Sequence, residues 1–301
     1  MGVIMNTIPL ERVSVPLVRC LEVNDQGRDF VVGDLHGSRE LLDTLLATVH
    51  FNTEIDRLFS VGDLIDRGPN SIACLELLNE PWFYAVRGNH ETMLLEYVWN
   101  FIQYGTSLNR SQQHELLSNG GDWIYEDYNF GDDCPQLRLI ELLSKVRQLP
   151  LLIVVGKGPE RFHVVHAELY DAGKPNEVLL DNDIDALFQE WSTKDFFNVP
   201  PQDYPYFTKH WLWGRSFMKK IESVTECPPE LLPGLSPTFC GHSITHKISK
   251  TLSHICIDTG AFLAGQTDFD NSREGLSLVE IKKQKVYFTN GSLRPPHVFS
   301  L

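Results

Sequence analysis

No stretch of this chain is apolar for long enough to cross a bilayer. Its longest apolar runs, such as Leu151–Val155, fall far short of the ~20 residues that a spanning helix needs, so no membrane partner is expected. Glu11 and Arg12 interrupt the first twenty residues, which therefore lack the apolar block of an export signal. Position 6 is Asn, where an N-myristoylation signal calls for Ser or Thr. Cysteine is sparse and unpatterned: the six thiols (20, 74, 134, 227, 240, 256) include no C-x-x-C pair. That excludes a disulfide framework or a zinc finger and points to reduced thiols in a cytoplasmic protein. Positive charge is scarce as well, with 26 Lys+Arg against 40 Asp+Glu and a net charge of −14. So acidic a surface is a poor grip for nucleic acid over a broad face, though it leaves room for a small anion at one locally positive site.

What is present is an ordinary globular composition, 42% apolar and 22% charged over 301 residues. Short apolar runs alternate with amphipathic segments through the first hundred residues. Asp29–Gly33, Arg57–Gly62 and Trp82–Val86 read as buried strands, and Leu41–Val49, Ser71–Leu78 and His90–Phe101 as the helices between and after them. That order implies parallel strands joined by right-handed crossovers, whose polar sites form beyond the carboxyl ends of the strands. Further along, Leu151–Val155 and Arg161–His166 read as a hairpin around the turn at 156–159. Thr238–Cys240, His254–Asp258, Leu276–Ile281 and Val286–Phe288 read as strands, and Gln136–Arg147 and Ile184–Trp191 as helices. Seven of the 17 prolines fall between 200 and 237. Phe196–Pro205 and Glu222–Pro237 are therefore expected to be irregular surface insertions around a short core piece, Phe207–Met218.

Each of the first three strands ends in a polar cluster: Gly33-Asp34-Leu35-His36-Gly37, then Gly62-Asp63-Leu64-Ile65-Asp66-Arg67-Gly68-Pro69, then Arg87-Gly88-Asn89-His90-Glu91. Taken singly, each has a bland explanation: an Asp cap beside a structural His, a turn with an ion pair, a left-handed turn opening a helix. Together, at consecutive strand ends, they supply carboxylate, imidazole and amide oxygen, the donor types that hold a pair of divalent cations. The glycines permit sharp turns and the close approach of an anion.

These three clusters resemble the consecutive signatures of the calcineurin-like metallophosphoesterases, and within them the Ser/Thr protein phosphatase branch that includes the small bacterial and lambda-phage enzymes. The resemblance continues in order through Asn119-Gly120-Gly121-Asp122-Trp123, Val165-His166-Ala167, Trp213-Gly214-Arg215, Cys240-Gly241-His242-Ser243 and Ile257-Asp258-Thr259-Gly260-Ala261, spanning about residues 29–290. It implies an α/β fold of the four-layer α+β type, a central mixed β-sandwich flanked by helices. Residues 1–301 would form one domain with an N-terminal arm (1–25) and loop insertions within 196–237. It implies two divalent metal ions, with manganese the first choice and iron or zinc the alternatives, held by Asp34, His36, Asp63, Asn89, His166 and His242, Asp63 bridging the two. Arg67, Arg87 and Arg215, with Asn89, would bind the phosphate, since guanidinium forks match phosphate oxygens. His90, oriented by Asp66, would be the general acid, and the nucleophile would be water held between the metals. The implied activity is metal-dependent phosphomonoester hydrolysis on a phosphoprotein or phosphopeptide, at Ser/Thr and also Tyr. Hydrolysis of diadenosine tetraphosphate or nucleotides is the rival reading, and a silent binding module the third. His163 is expected to be structural and His246 exposed, and the Trp211–Trp213 cluster to be packing. Glu168, following His166-Ala167, is a minor departure from the resemblance.

Overall fold

The alternation of short Val- and Phe-rich runs with amphipathic segments is realised in the computed structural model, which describes residues 17–104, 109–127, 133–191, 194, 196, 199–222, 228–265, 274–292 and 295–301. The strands in chain order are β1 (Val18–Leu21), β2 (Asp29–Val32), β3 (Arg57–Ser60), β4 (Phe83–Ala85), β5 (Leu152–Val155), β6 (Phe162–Val165), β7 (Thr238–Cys240), β8 (Ser249–Thr251), β9 (His254–Cys256), β10 (Leu276–Glu280), β11 (Lys285–Thr289) and β12 (His297–Ser300). The helices are α1 (Arg39–Thr48), α2 (Ser71–Glu76), α3 (Asn89–Tyr104), α4 (Arg110–Ser118), α5 (Trp123–Asp127), α6 (Asp133–Arg147), α7 (Asp181–Trp191), α8 (Thr208–Trp213) and α9 (Ser216–Glu222). Among the described residues, no helix is long and apolar enough to cross a membrane.

The strands form two six-stranded sheets, ordered β12-β11-β10-β2-β3-β4 and β1-β5-β6-β7-β9-β8. Within the first, β2, β3 and β4 are parallel. Within the second, β6, β7 and β9 are parallel, and β5 pairs antiparallel with β6 as the expected hairpin. Side-chain alternation then sorts the layers. Val31 and Phe59 point between the sheets and meet Ile153, Phe162, Val164, Phe239 and Ile257. Their neighbours Phe30, Val32 and Leu58 point outward under Leu42, Leu45, Leu94, Val98 and Leu143 of the helices. On the far side of the second sheet, Val165 and Cys240 pack with Ile184, Trp191, Trp211 and Phe217. Strands buried on both faces must be apolar throughout, which is why DFVV and LIVV carry no alternation. Each fully buried side chain of this size contributes about 1.5–3 kcal/mol. The result is the metallophosphoesterase architecture, helix–sheet–sheet–helix.

Of the arm expected at 1–25, residues 1–16 lie outside the described residues, and a strand not read from the sequence follows: β1 adds a parallel edge strand to β5, Val18 opposite Leu152 through Leu21 opposite Val155. Arg19 and the half-exposed pattern of VRCL conceal it in the sequence, because an edge strand is held by main-chain bonds that leave little side-chain pattern. The short core piece expected at Phe207–Met218 within 196–237 is helical, and the prolines lie outside it. They flank α8 and α9 and leave Thr208–Glu222 free to be helical.

Candidate metal centre

Most of the polar side chains singled out above lie just beyond the carboxyl ends of parallel strands; Arg215 instead sits between α8 and α9. Asp34 and His36 follow β2; Asp63, Asp66 and Arg67 follow β3; Arg87, Asn89 and His90 follow β4; His166 follows β6 and His242 follows β7. The chain turns so sharply there that His36, Asp63, Asp66, Arg67 and His242 all adopt positive φ, from 42° to 71°. Side chains tolerate this region poorly, and strain of this kind gathers at functional sites. Two glycines are obligatory: a Cβ on Gly88 would collide with the Asp63 carboxylate, and one on Gly241 with that of Asp34.

Two groups of donors result, both buried. His36, Asp63 and His90 form one; Asp63, His166 and His242 form the other. Asp63 is common to both, its Oδ2 lying 3.6 Å from His36 Nε2 and 3.5 Å from His166 Nε2. The tautomers follow from the neighbours. His36 Nδ1 donates to the Ile65 carbonyl and His166 Nδ1 to the Val61 carbonyl, each at 2.8 Å. Burial pushes His36 down to about 3 and His242 down to about 2, and lowers His166 as well. The rings are therefore neutral, and Nε2 of His36 and of His166 carries a lone pair. His166 Nε2 then faces Asn89 Oδ1 at 2.8 Å, and His242 Nδ1 lies 2.9 Å from the same oxygen and 3.2 Å from His166 Nε2. His166 Nε2, Asn89 Oδ1 and Asp63 Oδ2 thus present lone pairs to one another, an arrangement relieved by a shared electrophile. Imidazole, amide oxygen and carboxylate suit a divalent transition metal. The donor set fits divalent metal ions, with Asp63 common to both groups of donors.

The surrounding acids lead to the same view. Burial raises Asp34 well above the usual carboxylate range, reinforced by the charges of Asp258 and Asp63. Burial likewise lifts Asp258 to about 6. Three carboxylates so close and so dry call for nearby positive charge. Glu91, lifted to about 7 by burial and by Asp63, has a different task. Its carboxylate accepts N–H bonds from Asp63 (3.0 Å), Leu64 (2.7 Å) and Gly88 (2.8 Å), stapling the β3 and β4 loops together.

His90 Nδ1 donates to Asp66 Oδ2 at 2.7 Å, and Trp123 Nε1 donates to Asp66 Oδ1, also at 2.7 Å. Burial works against the charged His90 ring, but the Asp63 charge and the Asp66 bond outweigh it and raise its pKa. The orienting role of Trp123 was not anticipated. The only sequence sign was the recurrence of the Asn119–Trp123 motif. The loop it belongs to also props the arginine, since Arg67 N–H donates to the Gly120 carbonyl at 3.1 Å. Arg67 itself reaches the centre, 3.0 Å from His36 Nε2 and 4.8 Å above the Phe262 ring. The charge of Arg215 is felt at His166, His242 and Asp258.

Arg87 is placed differently. It is 1% exposed, and its guanidinium donates to Tyr204 Oη (3.0 Å), the Arg147 carbonyl (2.8 Å) and the Leu149 carbonyl (3.2 Å). These partners tie it to Tyr204 of the 196–237 stretch and to the chain between α6 and β5. His163 is buried between Arg161 Nε at 2.9 Å and Thr238 Oγ1 at 3.2 Å, a packing role as expected. His246 is exposed beside Glu274. The tryptophans part company: Trp211 is fully buried, whereas Trp213 is 43% exposed, edge-on to His242 with ring centroids 6.1 Å apart.

Comparison with known proteins agrees with this geometry. The profile described as calcineurin-like phosphoesterase matches residues 30–247. A protein of Escherichia coli K12 named serine/threonine-protein phosphatase 2 is 40% identical over 139 residues, 46% of this chain and 57% of that protein. Its namesake in Salmonella typhimurium LT2 is 29% identical over 259 residues, covering 84% of this chain and 97% of the relative. Among solved structures, a protein serine/threonine phosphatase from Saccharomyces cerevisiae superposes with a TM-score of 0.53 at 15% identity, covering 95% of this chain and 84% of that one. That last likeness is one of fold.

Proposed function

The chain belongs to the calcineurin-like phosphoesterase family, and on that premise we propose that it is a metal-dependent phosphomonoesterase acting on phosphoserine and phosphothreonine in proteins. The observation that carries the reading is the shared Asp63 carboxylate between two sets of lone-pair donors, with the His90–Asp66 pair beside it. Asp34, His36 and Asp63 would hold one cation, and Asp63, Asn89, His166 and His242 the other; manganese is the proposed metal, with iron or zinc the alternatives. When bound, two such cations acidify a water and offset phosphate charge.

The chain's own groups do the rest. Arg67 and Arg215 bind phosphate oxygens, and Asn89 borders the same space. Arg87 is assigned to supporting the β4 loop, because its two terminal nitrogens donate to Tyr204 and two carbonyls. His90, with Nδ1–H given to Asp66, keeps its Nε2 proton for the departing alkoxide of the serine or threonine. The raised pKa favours retention of that proton. Residues 1–301 are taken as one domain, because both sheets contribute donors. A cytoplasmic setting is supported by the free thiols Cys20, Cys74, Cys240 and Cys256.

The test is a comparison of phosphoseryl and phosphothreonyl peptides, p-nitrophenyl phosphate and diadenosine tetraphosphate, each with and without manganese. Metal-dependent phosphate release from the peptides is expected. Cleavage of the dinucleotide alone would replace this reading with the rival one.

A further inference from the structure

We propose that Glu168 is the positioning residue that fixes Arg215 against the metal centre; the inference rests on the phosphate-binding role given to Arg215 above. Glu168 lies two residues beyond His166 and is 1% exposed. Its Oε2 accepts the N–H of Ser216 at 2.8 Å, and its Oε1 accepts those of Phe217 and, at 3.3 Å, Met218. These are the first three residues of α9. A helix start leaves its first N–H groups without intrahelical partners, and a side chain near in sequence normally takes them. Here the cap comes from 48 residues away, out of the same short segment that carries a metal donor.

Arg215 is the residue immediately before that capped turn. With seven residues, α9 is too short to hold its own orientation in water. The orientation comes from Phe217 and Met218 in the core and from the Glu168 carboxylate. A second tie runs alongside: Ala167 N–H donates to the Trp211 carbonyl at 2.8 Å and Glu168 N–H to that of His210 at 3.3 Å. Gly214 makes room for the crossing, since a Cβ there would come within 2.9 Å of Glu168 Oε2 and still closer to the His210 carbonyl. The Trp213-Gly214-Arg215 run and the Glu168 that follows His166-Ala167 are thus two sides of one junction. That junction sets the guanidinium relative to His166, where its charge registers.

The experiment uses the full-length, manganese-loaded protein and the variants Glu168→Gln, Glu168→Asp, Arg215→Ala and the double variant Glu168→Gln/Arg215→Ala. It reads KM for a phosphopeptide, Ki for inorganic phosphate, kcat and metal content. Gln keeps the length of the side chain but leaves at least one α9 N–H without an acceptor. KM and the phosphate Ki should rise roughly tenfold in Glu168→Gln, the scale of one lost charge-assisted hydrogen bond, while kcat and metal content stay unchanged. Glu168→Asp should fall between, and it carries the comparison if the Gln variant does not fold. The double variant should be no worse than Arg215→Ala alone, since a residue acting through another is not additive with it. Additive losses, an unchanged phosphate Ki in Glu168→Gln, or loss of metal would each overturn the proposal. An unchanged phosphate Ki in Arg215→Ala would overturn it together with the role of Arg215, and so identifies that failure separately.

Discussion

The two halves of the centre are built in different ways. The half contributed by the β2–β3–β4 sheet draws its side chains from Asp34 to Glu91, one strand end after another, with a single helix crossover between neighbours. Crossover geometry alone brings those ends side by side. The half contributed by the β6–β7–β9 sheet draws His166, Arg215, His242 and Asp258 from segments separated by α7, α8, α9 and long connections. Nothing local brings them together. Pairing of β6, β7 and β9 sets three of their strand ends side by side, the Glu168 junction places Arg215, and two residues are also bonded to the first half: His166 Nδ1 to the Val61 carbonyl at 2.8 Å, and His242 N–H to Asp34 Oδ2 at 3.0 Å. A compact local framework is laid down by sequence spacing, and a dispersed set of residues is then registered against it.

The largest effect should come where the halves share an atom. Asp63 Oδ2 is near the lone pairs of both. Asp63→Asn replaces part of that anion with an N–H₂ group directed at other donors, and it should remove both metals and bring turnover to background. His242→Ala removes a donor from only one of the two proposed cations and should cost one metal of the two. Metal content by mass spectrometry decides the matter: two metals retained in Asp63→Asn would break the picture of halves joined at this carboxylate.

The same difference explains how much could be read from the chain. GDLHG, GDLIDRGP and RGNHE declare themselves because strand, turn glycine and donor are contiguous, and the structure brings Asp34, His36, Asp63, Asp66, Asn89 and His90 together as that spacing requires. His166 and His242 were legible only through resemblance, each being one imidazole after a short strand. Glu91 and Glu168 were hidden because their work is with main-chain N–H groups, which leave no sequence pattern. Trp123 was hidden because its partner Asp66 lies 57 residues away. The contact that Arg87 makes is hidden for a related reason. The Tyr204 that engages it comes from a proline-rich stretch 117 residues on, and composition does not reveal where such a stretch packs. Edge strand β1 escaped notice because its pairing is carried by the backbone.

The next effect lies within the local half alone. His90→Asn should lower kcat by about 10²–10⁴, the usual value of general acid catalysis, with metal content preserved, since the reading makes His90 an acid and not a ligand. Asp66→Asn, a milder change, should move the pH dependence. Burial pulls the His90 pKa down, while the Asp63 charge and the Asp66 bond raise it above the ordinary histidine value. Activity that requires protonated His90 is lost as pH rises through that pKa. Removing the Asp66 charge lowers the pKa, so the alkaline limb of kcat should shift to lower pH. A limb that stays in place, or shifts upward, would show that His90 is not the titrating acid.

The smallest effect probes a place where the chain beyond β6 reaches back to brace the local half. Tyr204, 8% exposed, gives its hydroxyl to Arg87 at 3.0 Å, with the guanidinium 5.4 Å from its ring. Tyr204→Phe keeps the ring and removes the acceptor, leaving a buried guanidinium donor unpaired at a cost of about 1–3 kcal/mol. Denaturant unfolding should show that loss, while kcat and the Ki for inorganic phosphate hold steady, because the proposed phosphate binders are Arg67 and Arg215. A large change in phosphate Ki without loss of stability would return Arg87 to the phosphate clamp. The local half would then be binding substrate through all the arginines that its motifs supply, and the insertion would be governing substrate access instead of bracing a loop.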